Sequence, residues 1–362
     1  MKERYPRLEI NLAHLKHNVA KVVEQCGKYG IQVAGVIKGA TGLAEVAKQF
    51  DQGGASFIAS SRLEQIEDAK NAGIKKPMML IRVPMLSEIP DVIRLADVSL
   101  NSEMEVVKAL NEEAGKQGKI HQVIMMADMG DLREGFWDKE EMTDACEYIE
   151  KELANIQLIG IGTNVGCYGS ISPTVETLNE LVEIAEHIEV RLGRKLEYIS
   201  GGATSSLMRV WDEDIPERIN LLRIGEGILL ARDLDVFYGY DMSRLYQDVF
   251  RLKAEVIEVK DKPSHPVGTI AVDAFGHTPT YVDRGMRRRA LLAMGKVDYG
   301  DPAELLPLEK GIEVLGASSD HTIIDVEDAE KDWKVGDIME FDICYATIVY
   351  LTNCRNVNIA YV

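Results

Sequence analysis

Over the first two-thirds of the chain, short apolar or β-branched runs alternate with longer stretches in which apolar residues recur every three or four positions. That rhythm is the signature of a parallel sheet whose strands are joined by crossover helices. Eight such runs precede residue 230: 33–38, 57–60, 77–82, 98–102, 122–129, 158–165, 196–201 and 221–229. Eight strands with helices between them predict an α/β fold, a (β/α)8 barrel of the TIM type. The segment SPTVETLNELVEIAEHIEVRLG supplies the clearest helix, with Ser172 as its cap, Pro173 at the first helical position and Gly193 beyond its end. Its residues Val175, Leu178, Leu181, Ile184, Ile188 and Leu192 form one apolar stripe. Another helix is predicted over 12–25, ahead of the first barrel strand.

After Leu230 the rhythm changes. The stretch ARDLDVFYGYDMSRLYQDVF reads as a connector, and from Leu252 the runs KAEVIEV, GTIAVDAF, RRALLAMGKV, IEVLGAS, TIIDVED and DIMEFDICYATIVYL follow one another with turn residues between them and no long helix. The expected division is a barrel over 1–234 and a smaller C-terminal β domain over 235–362.

Composition narrows the function. The 362 residues carry 59 acidic and 41 basic side chains, a formal charge of −18, which argues against a nucleic-acid partner because phosphate binding relies on clustered Lys and Arg. The basic run RGMRRR at 284–289 is short and isolated, and is expected to form a solvated turn before a strand. With 46% hydrophobic and 28% charged residues the chain is expected to be globular, and its 14 Met, among them Met78, Met79, Met125 and Met126, to be core filling. Cysteines 26, 146, 167, 344 and 354 form no C-x-x-C pair and no Cys/His cluster, so reduced thiols and no metal site are expected. No apolar run approaches the length of a membrane span, and the expected location is cytoplasmic.

In a (β/α)8 barrel the active-site residues follow the carboxyl ends of the strands. Lys38 stands there in VAGVIKGATG, either as a strand-end lysine reaching solvent or as an amine whose pKa is lowered at the barrel mouth, as Schiff-base chemistry requires. Arg133 follows the fifth strand in ADMGDLREGF, GIGTNVGCYG follows the sixth, SGGATSS the seventh, and LLRIGEG lies on the eighth. Glycine-rich turns opening helices at strands seven and eight are suited to a phosphate. The ordered set, with a lysine on the first strand, points to a phosphate-bearing aldehyde cofactor.

These motifs, with GASSDHTI and ICYATI, resemble the alanine racemase family of pyridoxal-phosphate enzymes, a barrel with a carboxy-terminal β domain, and more narrowly its ornithine racemase branch, over nearly the whole chain. The resemblance implies pyridoxal 5'-phosphate held by Lys38 as the Schiff-base lysine, with Arg133 on the cofactor phenolate oxygen and Arg223 facing the pyridine nitrogen. It implies phosphate contacts from Thr204 or Ser205, from the amides of Gly225 and Glu226, and from Tyr345. A guanidinium beside the ring nitrogen opposes its protonation and weakens the electron sink, which favours racemisation over decarboxylation. Three positions depart from the wider family: Gly42 replaces a phosphate-contacting tyrosine, Asn164 a histidine near the ring, and Lys296 the tyrosine that serves as second acid/base.

The implied activity is racemisation of a small basic amino acid, ornithine first and lysine second, in a homodimer with shared active sites. Lys38 works on one face of Cα. A residue of the partner's β domain works on the other, near Lys296, Asp298 and Tyr299 or in the turn carrying Asp320 and His321, where His321 is either catalytic or a structural histidine. Asp212, Glu213, Asp214 and Asp298 are candidate partners for the substrate's second ammonium. His14, His17 and His187 are expected on helix surfaces. Alternatives are a broader racemase, a fold-related decarboxylase or aldolase, and a non-catalytic pyridoxal-phosphate carrier, against which the β domain counts.

Overall fold

The computed structural model describes residues 3–273, 275–276, 278 and 280–362. They form two compact units, Ala13–Tyr246 on one side and the residues up to Leu12 with Gln247–Val362 on the other. Strand β1 (Arg7–Ile10) is followed by β2 (Gln32–Val36), β3 (Phe57–Ser60), β4 (Met78–Leu80), β5 (Val98–Asn101), β6 (His121–Ala127), β7 (Ile156–Thr163), β8 (Tyr198–Ser200) and β9 (Leu221–Ile224). Strands β2 to β9 pair in chain order and in parallel, and β2 closes on β9 from Gln32↔Leu221 to Gly35↔Ile224. The predicted barrel is therefore present.

Alternate residues fill it. Ala34 and Val36, Phe57 and Ala59, Val98 and Leu100, and Ile124 and Met126 share one buried cluster with Met79, Tyr198 and Leu221, as the two-residue period of a strand requires. The Phe57 and Tyr198 rings meet edge to face at 5.7 Å. Where β7 passes β8 there is no room for a side chain, since a Cβ on Gly160 would stand 2.2 Å from the Tyr198 carbonyl oxygen.

The long helix runs Val175–Leu192 and starts two residues later than predicted. Its cap is Thr174, whose hydroxyl accepts from the Thr177 amide at 3.1 Å, and not Ser172. Gly193 closes it at φ +69°, in the left-handed region that glycine adopts without strain. The eighth predicted run also divides, because the chain leaves the sheet at Gly225 and turns into a short helix, Glu226–Leu229.

The other unit carries β10 (Phe250–Pro263), β11 (Met286–Leu292), β12 (Leu306–Pro307), β13 (Glu313–Ala317), β14 (Thr322–Asp325), β15 (Ile338–Asp342) and β16 (Asn358–Tyr361). Its sheet has the order β12-β15-β10-β11-β14-β13, with β1 antiparallel to β10 and parallel to β16. That ladder moves the division of the chain. Residues up to Leu12, expected with the barrel, are held by the β sheet, and residues 235–246 stay with the barrel unit.

Three local expectations change. Of the basic run only Arg284 and Gly285, at φ +74°, precede the strand, because Met286–Arg289 pair with Lys260–Pro263 and the charges find partners, Arg287 with Asp325 and Asp328, Arg288 with Asp332. The strand expected over 268–275 is absent from residues 268–273, and Ala274 lies outside the described residues. The run over 337–351 is strand only from Ile338 to Asp342. Tyr345–Leu351 is a helix, whose Thr347, Ile348 and Leu351 are buried on one face at helical spacing. Among the described residues no helix is long and apolar enough to cross a membrane.

Candidate active site

Lys38 begins a 3-10 turn, Lys38–Ala40, directly after β2. The chain then passes through two left-handed residues, Thr41 at φ +49° and Gly42 at φ +69°. A Cβ on Gly42 would stand 2.4 Å from the Gln65 Cβ, so the tyrosine of the wider family has no space there. Lys38 is half-buried, and that burial pulls its amine below the ordinary lysine range. The cations of Arg133 and Arg223 push the same way, while Cys167 and Glu134 oppose them.

Arg223 is central to β9 and 4% exposed. Its Nη2 donates to the Thr163 carbonyl at 2.7 Å and its Nη1 to the Ser200 hydroxyl, which ties the guanidinium to the adjacent strand β8 and to β7 beyond it. Burial pulls its pKa down to about 10, which still leaves it charged at neutral pH.

Arg133 lies on the loop after β6. Its Nε and Nη2 both donate to the Glu134 carboxylate, and Nη1 lies 2.8 Å from the Cys167 sulfur. Asn164, just past β7, sits beside it and, with its amide oxygen turned toward Arg133, accepts from Nη1 at 3.0 Å. Two aspartates shape this rim. Asp128 accepts from the amides of Gly130 at 2.8 Å and Leu132 at 3.1 Å, and buried Asp131 accepts from Tyr168 at 2.9 Å and Ile171 at 3.3 Å. Burial alone would raise Asp131. The backbone N–H groups of Gly169, Tyr168, Ile171 and Cys167 outweigh it and hold the carboxyl below its usual range.

After β8 the turn Thr204–Ser206 leads into the helix Leu207–Trp211. Thr204 Oγ1 accepts from the Gly227 amide at 3.1 Å, which joins the loops after β8 and β9, and Ser205 Oγ donates to the Val165 carbonyl at 2.9 Å. Gly202, at φ +117°, leaves a Cβ no place, only 2.6 Å from Ser206 Oγ. Glu226 is buried with its Oε1 accepting the amides of Arg232 and Asp233. Burial and then the Asp233 charge push its carboxyl up to about 7.

The barrel thus gathers Lys38, Arg133, Asn164, Thr204, Ser205, Arg223, Gly225 and Glu226 at the carboxyl ends of its strands. The donors are one half-buried amine, two guanidiniums, a threonine hydroxyl and loop glycines, while the carboxylates of Asp128, Asp131 and Glu226 each accept backbone amides, Glu226 through Oε1 alone with its buried Oε2 left without a hydrogen bond among the described residues. That set fits an anionic, phosphate-bearing aldehyde. Asp128, Asp131, Glu134, Cys167 and Ser200 were missed by sequence reasoning. Only the two aspartates carry a signal, as turn-forming residues bracketing Gly130.

The β unit holds the remaining candidates. Lys296 opens a short helix, Lys296–Tyr299, whose first amides donate to Ser318 and Ser319 carbonyls at 3.0 and 3.1 Å, so Lys296 and the turn of Asp320 and His321 are neighbours. Gly295 permits this approach, since its Cβ would fall 2.2 Å from the Ser319 oxygen. The Lys296 ammonium rests 4.0 Å from the centre of the Phe275 ring. His321 is exposed, and Ser319 donates to Asp320 at 2.6 Å. Asp298 is 4% exposed and accepts from the Gly295 amide at 2.9 Å, the Cys354 thiol at 3.3 Å and Asn356 at 3.4 Å, the environment of a structural brace. Tyr299 is buried against the Thr322 hydroxyl at 2.7 Å and burial pushes it up to about 12. Tyr345 is the first residue of its helix. Asp212, Glu213 and Asp214 lie between the helix after β8 and the start of β9, at the end of the barrel opposite Lys38. Asp212 and Asp214 are also paired with Arg209.

Residues 10–233 match the model of the alanine racemase N-terminal domain. An ornithine racemase of Acetoanaerobium sticklandii is 40% identical over 345 residues, covering 95% of this chain and 96% of the relative. A lysine racemase of Thermotoga maritima is also 40% identical, covering 95% of each. An alanine racemase structure from Clostridium difficile 630 superposes with a TM-score of 0.73 at 21% identity, over 100% of this chain and 97% of that one. With the cationic barrel mouth, these matches establish that the chain belongs to the alanine racemase family and is a pyridoxal-phosphate-dependent amino-acid racemase.

Proposed function

We propose that this racemase interconverts L- and D-ornithine, with lysine as its second substrate, and works as a homodimer. The relatives at 40% identity, an ornithine racemase and a lysine racemase, both bear the names of diamino-acid enzymes. The observation that carries the chemistry is a half-buried lysine of lowered pKa sharing one barrel mouth with a buried Arg223 that stays charged at neutral pH.

Pyridoxal phosphate supplies the aldehyde that captures an amino acid and the electron sink that acidifies its Cα–H. Lys38 would hold that aldehyde carbon until a substrate amine displaces it, and its freed amine would then take or return the Cα proton on one face. The lowered pKa keeps a larger share of that amine neutral and able to do so. Arg223 would face the ring nitrogen. Pinned by Ser200 and Thr163, its charge disfavours a proton there and restrains bond cleavage beyond deprotonation. Thr204 is better placed than Ser205 as the hydroxyl donor to phosphate, because the Ser205 hydroxyl hydrogen is already given to Val165. Gly225 and Glu226 would add further phosphate contacts.

The proton on the second face would come from the partner's β domain. Lys296 and His321 are the candidates, since Asp298 is occupied by three donors. The test is a chiral assay over ornithine, lysine, arginine, alanine and serine in deuterated water. Inversion of ornithine ahead of the others with deuterium at Cα is expected, and Lys38→Ala should abolish both turnover and the protein-bound visible absorbance of the cofactor. Retention of either in that variant overturns the assignment of Lys38, and no inversion of ornithine or lysine overturns the substrate.

A further inference from the structure

Four successive amides end on one residue at the carboxyl end of β9. Leu230 and Ala231 donate to the Glu226 carbonyl at 2.9 and 3.1 Å, and Arg232 and Asp233 donate to its side-chain Oε1, each at 3.0 Å. Ala231 turns there at φ +53°, a left-handed value that strains a residue with a Cβ. Glu226 thus closes the loop from its own helix to the next, Asp233–Tyr238, with backbone and side chain together. The same helix is tied on other sides. Thr204 accepts the Gly227 amide at 3.1 Å, Asn18 Nδ2 donates to the Ile228 carbonyl at 3.1 Å, and the Lys38–Ala40 turn packs against it.

One oxygen of that side chain is left over. Glu226 is 7% exposed, and its Oε2 is buried without a hydrogen bond. An ionised carboxylate spreads its charge over both oxygens, so a buried one with no donor on Oε2 holds a desolvated charge. The charges facing it do not correct this. Asp233, at the start of the next helix, repels it more strongly than the adjacent Arg232 attracts it. Lys38, in the turn packed on the helix, makes no ion pair with it among the described residues. The amides on Oε1 favour ionisation, but burial and then Asp233 outweigh them.

We infer that Glu226 serves as a neutral carboxylic acid, a positioning residue whose Oε1 fixes residues 232 and 233 while a proton on Oε2 keeps negative charge out of the turn Gly225–Gly227. The unfolded side chain is ionised at neutral pH, so folding takes one proton per chain from solvent and places it on Oε2. What this does for the enzyme rests on the reading above that the Gly225 and Glu226 amides meet the cofactor phosphate. A phosphate dianion is held best when the residue offering one of those amides is itself uncharged. As pH rises through about 7, ionisation puts a like charge into that residue, and cofactor affinity falls.

The proton is read by infrared spectroscopy of the holoenzyme, titrated from pH ~5.5 to pH ~8.5 around the ordinary glutamate and raised values. The native chain should show the carbonyl stretch of a protonated carboxyl group that fades as pH rises. Glu226→Gln, which keeps an oxygen for the two amides and cannot ionise, should lack that band. Asp233→Asn removes the repelling charge and should move the fading to lower pH. Cofactor affinity is read by titrating cofactor-stripped protein with pyridoxal phosphate and with pyridoxal, which has no phosphate. Between pH ~6.5 and pH ~8.5 the native chain's preference for the phosphate form should fall about tenfold further than that of the Gln variant, the effect of a like charge that shifts one pKa by about one unit. A native chain without the band, or a Gln variant that retains it, overturns the inference. A band that behaves as expected, beside a preference with the same pH dependence in both chains, overturns instead the reading of this turn as the phosphate site.

Discussion

His121 opens β6 with 2% exposure, and its Nε2 lies 2.8 Å from the Ser99 hydroxyl, to which Asn101 also donates at 2.9 Å. Burial lowers its pKa from 6.5 to about 4. A base whose folded pKa is depressed binds fewer protons folded than unfolded, so its contribution to stability is complete above the unfolded value and is lost as pH falls from 6.5 toward 4. The full shift is worth roughly 3 kcal/mol, of which about 2 kcal/mol should already be gone near pH ~4.5. Replacing the ring by a side chain that does not titrate removes this dependence and leaves that of the carboxylates. The assay is urea unfolding of the native chain and of His121→Gln near pH ~7 and pH ~4.5, followed by far-UV circular dichroism. The variant should be less stable at the higher pH, where Ser99 loses its fitted partner, and should lose about 2 kcal/mol less than the native chain on acidification. Parallel losses in the two proteins would refute the reasoning, because they would mean that the buried ring accepts its proton without cost.

Two further predictions concern the rim that carries Arg133 and Glu134. Gly135→Ala should destabilise the barrel by about 1–3 kcal/mol and lower its melting temperature, because φ is +132° and a Cβ would stand 2.4 Å from the Asp128 amide nitrogen; an unchanged melting temperature would contradict the geometry. Asp131→Asn should loosen the loop after β7, with hydrogen exchange at the Tyr168 and Ile171 amides faster by about tenfold; unchanged protection would show that the loop is held elsewhere.

Much of this protein is written locally. The eight parallel strands are legible because each is a short apolar run bounded by turns, and the carboxyl ends of those runs place Lys38, Arg133, Asn164, Thr204 and Arg223 on one side of any barrel they form. The end of the long helix is legible for the same reason, since Gly193 needs only its own backbone to stop it. The tertiary structure decides whatever depends on partners distant in the chain. β1 joins the β unit because its ladder is with β10 and β16, more than two hundred residues away. Residues 345–351 become helix because one face is buried, a fact that alternation of apolar residues does not contain. Asp212 and Asp214, plausible carboxylates by composition, fall at the end of the barrel opposite Lys38, whereas Glu134, which no motif marks, pairs with Arg133 on the loop after β6. Burial, not residue type, separates a carboxylate that must find a cation from one that water satisfies, and burial is a property of the closed barrel.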